Sequence, residues 1–170
     1  LLDSRAVLAK ISLPLAWVAL AALLAEALAA LILLGLVLLV LVALGQLKLS
    51  ALWLVAAAPG LLLLVYGLGL ILAVVTVFLE DMREVVQVAL QLGFWLTPVV
   101  YLPEVLPAWA QGWLALNPAA WAVEAFHAAL VFGQAPKLSW LVGLWGVGAL
   151  ALGLGGWLMR RTEKAVRDLL

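Results

Sequence analysis

The length of its apolar runs is what most constrains how this chain folds. From Leu13 to Leu44 only Glu26 interrupts the run, and from Leu49 to Leu79 nothing charged intervenes. A helix needs about 20 apolar residues to cross the hydrocarbon core. Both runs exceed that, so tilt or extension beyond the bilayer is expected. A third, shorter run covers 85–101 and a fourth covers 138–159. Composition agrees, with 69% hydrophobic and 11% charged residues, where soluble domains carry about a quarter charged. The expected class is an all-α integral membrane protein with four transmembrane helices. Pro59-Gly60 lies inside the second run and predicts a kink or a late helix start there.

Basic residues set the orientation. Arg5 and Lys10 precede the first span, Arg83 lies between the second and third, and Arg160, Arg161, Lys164 and Arg167 follow the fourth, which is seven of the nine. Both ends and the turn EDMRE (Glu80, Asp81, Arg83, Glu84) therefore face the cytoplasm. Lys48 and Lys137 face outward. The formal net charge is zero, so nothing argues for a nucleic-acid partner. There is no cysteine, hence no disulfide framework and no thiolate metal site. The opening LLDSRAVLAKIS is not a cleavable signal peptide.

The outward stretch 102–136 is unusual. With the residues just before it, it contains TPVVYLPEVLPAWAQGWLALNP, with Pro98, Pro103, Pro107 and Pro118 and two tryptophans, Trp109 and Trp113. That is too many prolines for a spanning helix and too little polarity for a water-exposed loop. Proline at a first turn suits short helices, so AWAQGWLAL reads as one. Asn117-Pro118 reads as a break with Asn117 capping or turning. AAWAVEAFHAALVFG reads as a second helix, ended by Gly133. The pattern fits a re-entrant pair, whose break is buried in protein or lines a cavity. It fits an interfacial hairpin with tryptophans at headgroup depth equally well.

No catalytic constellation is present. The sequence lacks a GxxxxGK[ST] phosphate loop, a G-x-S-x-G elbow and HExxH, and its single histidine excludes a histidine metal cluster. Glu26 is an ionisable group within a span. Its simpler reading is an interhelical hydrogen bond or an interfacial position, and a pathway-lining role is the alternative. Glu124 and His127, three apart, share a helix face and are read as a local hydrogen bond or as an ionisable pair at a cavity mouth. Ala149 and Gly153 permit close helix approach. RRTEKAVRDLL reads as a basic stop followed by a short surface helix.

In order, the pieces FLEDMREV, a short span, LTPVVYLPEVLP, LNPAAW, an amphipathic helix ending in VFGQAP, and a last span with a basic tail resemble the permease subunit of type-2 ABC exporters of polysaccharides such as O-antigen, capsule and teichoic acid. Thr97, Pro98, Tyr101, Asn117, Pro118 and Gly133 carry the likeness. The family's usual Arg-Asp turn is Glu80-Asp81 here, and His127 stands where the family often has arginine. The resemblance implies that residues 1–12 form a cytoplasmic coupling segment, with Arg5 and Lys10 as contacts to a separate ATPase. It also implies outer gate helices bearing Thr97, Pro98, Tyr101, Trp109, Trp113, Asn117, Pro118, Trp121, Glu124 and His127, and a cytoplasmic tail over 160–170. Two upstream spans and an amphipathic helix are expected to precede Leu1.

Implied likewise are a homodimer in the inner (cytoplasmic) membrane, a lipid-linked glycan as cargo, and no chemistry in this chain, with ATP and Mg held by the partner subunit. Trp109, Trp113 and Trp121 would anchor the gate at the interface or offer faces to sugar. The rivals are a type-2 ABC permease for drugs or lipids, a membrane enzyme acting on polyprenyl-linked sugars through the EDMRE turn, and a passive assembly subunit.

Overall fold

The computed structural model describes residues 15–79, 81–99, 101 and 105–169. Arg5, Lys10, Glu80 and Pro103 lie outside the described residues. Every regular element among those described is helical: α1 Leu15–Ala43, a 3-10 turn Leu49–Trp53, α2 Leu54–Phe78, α3 Met82–Leu96, α4 Ala108–Leu114, α5 Pro118–His127, a π-helical turn Ala128–Phe132, and α6 Leu138–Leu169. Three helical stretches are long and apolar enough to cross a membrane: Ala16–Ala43, Leu49–Phe78 and Leu138–Glu163. α3 has 15 residues, about 22 Å at the α-helical rise. It ends at Leu96, short of the expected 101, because Thr97 to Val99 leave helical geometry before and after Pro98.

α2 and α6 form the core. α2 buries Leu54, Ala57, Gly60, Leu64, Gly67, Leu70 and Val74, three or four residues apart along one stripe. Three apolar clusters follow that stripe. Ala57 packs with Ala125 and Leu141 near the start of α2. Leu64 packs with Ala122, Leu144 and Ala151 in the middle. Leu70 and Val74 pack with Met159, beside Ala16 and Ala19 of α1, toward the end of α2. Glycines let the two backbones touch: a Cβ at Gly155 would lie 2.6 Å from the Gly67 carbonyl oxygen, and one at Gly67 would run into the Leu152 backbone. Without a hydrophobic drive between helices in lipid, such close approach is what packing rests on. Here Gly67 and Gly155 provide it, whereas Gly153 is exposed with open space around it.

The α2 helix does not start late. It runs through Pro59, and Trp145 Nε1 of α6 donates to the Ala56 carbonyl at 2.9 Å. The carbonyl that Pro59 leaves without a helical donor is that of Val55, four residues back, so the Trp145 bond ties α6 to α2 beside the proline rather than replacing its missing donor. α1 closes with Gly45 at φ 66°, where Gly45 N–H donates to Val42 and Gln46 N–H to Leu41, a left-handed cap that needs no Cβ. At its N-terminal end α1 is tied to α2 by Tyr66, whose hydroxyl donates to the Ala16 carbonyl at 2.9 Å. The basic tail is no separate surface helix: α6 continues without a break to Leu169.

Candidate functional site

The short helices α4 and α5 are fixed by one polar junction. Thr97 Oγ1 donates to the Gly93 carbonyl at 2.7 Å and accepts from Asn117 Nδ2 at 3.1 Å. Asn117 Oδ1 in turn accepts from Ala119 N–H at 3.0 Å, capping α5, with Pro118 in its first turn. Pro98 is fully buried beside it. One asparagine side chain thus joins the Thr97 side chain at the end of α3 to a backbone N–H at the start of α5, while Thr97 itself satisfies the Gly93 carbonyl. Trp121 Nε1 adds a bond to the Ala115 carbonyl at 3.0 Å, pinning α5 to the residues after α4. Tyr101 donates to the Trp95 carbonyl at 3.1 Å. Trp109 is 74% exposed on α4, and Trp113 lies on the same short helix.

At the far end of α5 the chain widens into the π-helical turn. Its Ala129 carbonyl accepts from the Ser50 hydroxyl at 2.7 Å, and Lys48 Nζ reaches the Phe132 carbonyl at 3.4 Å. Gly133 at φ 68° ends the turn, with Gln134 N–H donating to Ala128 at 2.8 Å. The loop between α1 and α2 is therefore stapled to the turn that follows α5. π-turns of this kind collect at functional sites.

Two cavities flank α5. The larger, about 600 Å³, is an open groove between α3, α2 and α5, lined among others by Leu61, Leu90, Phe94 and Phe126 with Thr97, Asn117 and His127 as its polar members. Glu124 lines the other cavity, with Trp121 and Lys137. Glu124 and His127 therefore do not open onto one cavity mouth. Three residues turn an α-helix through about 300°, and the remaining offset is enough to place them on either side of α5. Nδ1 of His127 is buried with no hydrogen-bond partner among the described residues. Glu26 is exposed on α1. Among the described residues no group of His, Asp and Glu is placed to hold a metal ion.

α3 carries a feature that the sequence reading passed over. Glu84, Gln87 and Gln91 are all exposed, and their spacing of three and four puts them on one helix face. That stripe runs alongside the one carrying Leu90 and Phe94 into the groove, whose lining includes neither glutamine. The i, i+3, i+7 polar spacing was the available signal, hidden because the run 85–101 was read for its apolar residues alone.

A bundle of long apolar helices, with a capped helical hairpin at one end and a polar stripe on the 15-residue α3, defines a multi-pass membrane protein. The sequence profile of the ABC-2 type transporter family matches residues 8–131. The chain belongs to that family of transporter membrane domains, and membership implies a partner ATP-binding subunit. A search among curated proteins returned no match.

Proposed function

We propose that this chain is the permease subunit of an exporter that passes a lipid-linked polysaccharide, of O-antigen, capsule or teichoic-acid type, outward across the cytoplasmic membrane. It works as a homodimer with a separate ATPase, which holds ATP and Mg, and does no chemistry itself. α3 with Thr97 to Val99 makes the third of four crossings, and α4 and α5 are the re-entrant gate. The observation that carries the reading is the exposed stripe of Glu84, Gln87 and Gln91 on α3. Side chains of this polarity are costly against lipid and belong on a water-filled path. A glycan, rich in hydroxyls, is a cargo such a path suits. The Thr97–Asn117 junction supports a gate that moves as one piece with α3.

A drug or lipid permease is the second reading, favoured by the apolar groove between α3 and α5. Deleting the gene and measuring lipid-linked glycan in the inner leaflet separates the two. Accumulation supports glycan export, and unchanged glycan distribution sinks it. Replacing Arg5 and Lys10 together by alanine is expected to weaken co-purification of the ATPase. Unchanged recovery counts against residues 1–12 as the coupling segment.

A further inference from the structure

The smaller cavity, about 290 Å³, lies between the hairpin and the start of α6. Gln111 comes from α4, Trp121 and Glu124 from α5, Lys137 and Trp140 from the start of α6, and Pro98 from the junction. Its size sits at the lower edge of the ~300–1,000 Å³ typical of ligand pockets, room for one ring-sized ligand rather than a lipid chain. We propose that this cavity binds a neutral pyranose unit of a glycan at the outer membrane face. The inference rests on the glycan-export reading for the ligand's biological source, though not for the recognition chemistry.

The lining selects that class by exclusion. The Trp121 ring is held in place by its own bond to the Ala115 carbonyl, at 3.0 Å, and by Gly143, where a Cβ would come within 2.9 Å of ring carbon Cζ3. A fixed indole offers an apolar surface at little entropic cost. Lys137 Nζ sits 4.4 Å from the centre of the Trp140 ring, a cation–π contact that holds the ammonium at the rim. Gln111 donates its amide nitrogen to the Leu106 carbonyl at 2.9 Å, which presents its oxygen as an acceptor. Around the apolar surface stand a carboxylate, an amide oxygen and an ammonium. An anionic ligand is opposed by Glu124. A quaternary ammonium is opposed by Lys137, which already occupies the Trp140 ring. A neutral polyhydroxylated ring has a C–H face for the Trp121 indole and hydroxyls that both donate and accept, so it uses the carboxylate, the amide oxygen and the ammonium together.

The full chain, reconstituted in phosphatidylcholine nanodiscs without a glycosidic detergent, is titrated with the methyl glycosides of glucose, galactose, N-acetylglucosamine and rhamnose. Saturation-transfer NMR is the readout, with phosphocholine and inorganic phosphate as charged controls. At least one glycoside is expected to receive transfer at its ring protons. Glu124→Gln, and Ala115→Phe at the cavity mouth, are each expected to weaken binding about tenfold. The second variant removes no polar group and starts from an exposed position, so it guards against loss of fold. Transfer to no glycoside, undiminished transfer in both variants, or preferred binding of phosphocholine overturns the proposal. Competition by glucosyl diacylglycerol placed in the nanodisc would assign the ring to a membrane-held glycolipid, and lack of competition would assign it to the soluble part of the glycan. Glycan export with no glycoside binding refutes this site alone, whereas glycoside binding without glycan export refutes only the reading of the cargo.

Discussion

Replacing Gly67 by alanine tests whether backbone contact between α2 and α6 holds the fold together. The new Cβ would meet the Leu152 nitrogen and the Ala151 carbonyl carbon, and would lie 2.8 Å from Leu152 Cα. These are backbone atoms, so no side chain can rotate out of the way. Ordinary contact begins at 3.4 Å, so α6 must retreat by at least about 0.6 Å. A gap of that order forfeits roughly a quarter to a half of each dispersion contact along the stripe. Overpacking of this kind costs about 3 kcal/mol at its upper end, and the better helix propensity of alanine returns about 1 kcal/mol. The net is a destabilisation of about 2 kcal/mol, roughly thirty-fold in the unfolding equilibrium. Gly69→Ala is the matched control, because a Cβ there has nothing within 4 Å. Unfolding by SDS titration from mixed micelles, followed by tryptophan fluorescence, reads both. If Gly67→Ala is as stable as Gly69→Ala, the α2–α6 contact is not the close backbone approach described.

Asn117→Ala removes both the α5 cap and the bond to Thr97, and is expected to cost about 1–2 kcal/mol locally. Faster amide exchange over residues 93–99 and 118–122 would show it, and Asn117→Asp should restore protection of α5 while leaving the Thr97 side loosened. Ser50→Ala leaves the Ala129 carbonyl without its hydroxyl donor, so exchange in the π-helical turn Ala128–Phe132 should rise while α2 stays protected. Equal protection in both proteins would show that the staple carries nothing. Trp145→Phe should cost about 0.6 kcal/mol through loss of the Ala56 bond, and the same amount in a Pro59→Ala background, because the carbonyl that Pro59 leaves without a helical donor is that of Val55, four residues back. Strongly non-additive losses in SDS unfolding of the double variant would refute this independence.

The long elements were legible because span length and hydropathy are local properties, and Leu13 to Leu44 could be little else. Asn117-Pro118 and Gly133 were legible for a similar reason, since capping and left-handed closure are written in one or two residues. What the sequence withheld is pairwise. Pro59 predicts a kink or a late start, yet the helix begins before it, and only the fold shows Trp145, far along the chain, tying α6 to α2 at Ala56. Six glycines in the last span look alike until the packing shows Gly155 against the Gly67 carbonyl and Gly153 in open space. Glu124 and His127 read as a pair by spacing, yet α5 is packed from two sides and turns them into different cavities. The junction follows the same logic. Thr97 and Asn117 each have a local reason to be where they are, one ending a helix and one starting the next. Only the fold shows that a single 3.1 Å bond makes the two ends one unit, so that a displacement of α3 carries the first turn of α5 with it.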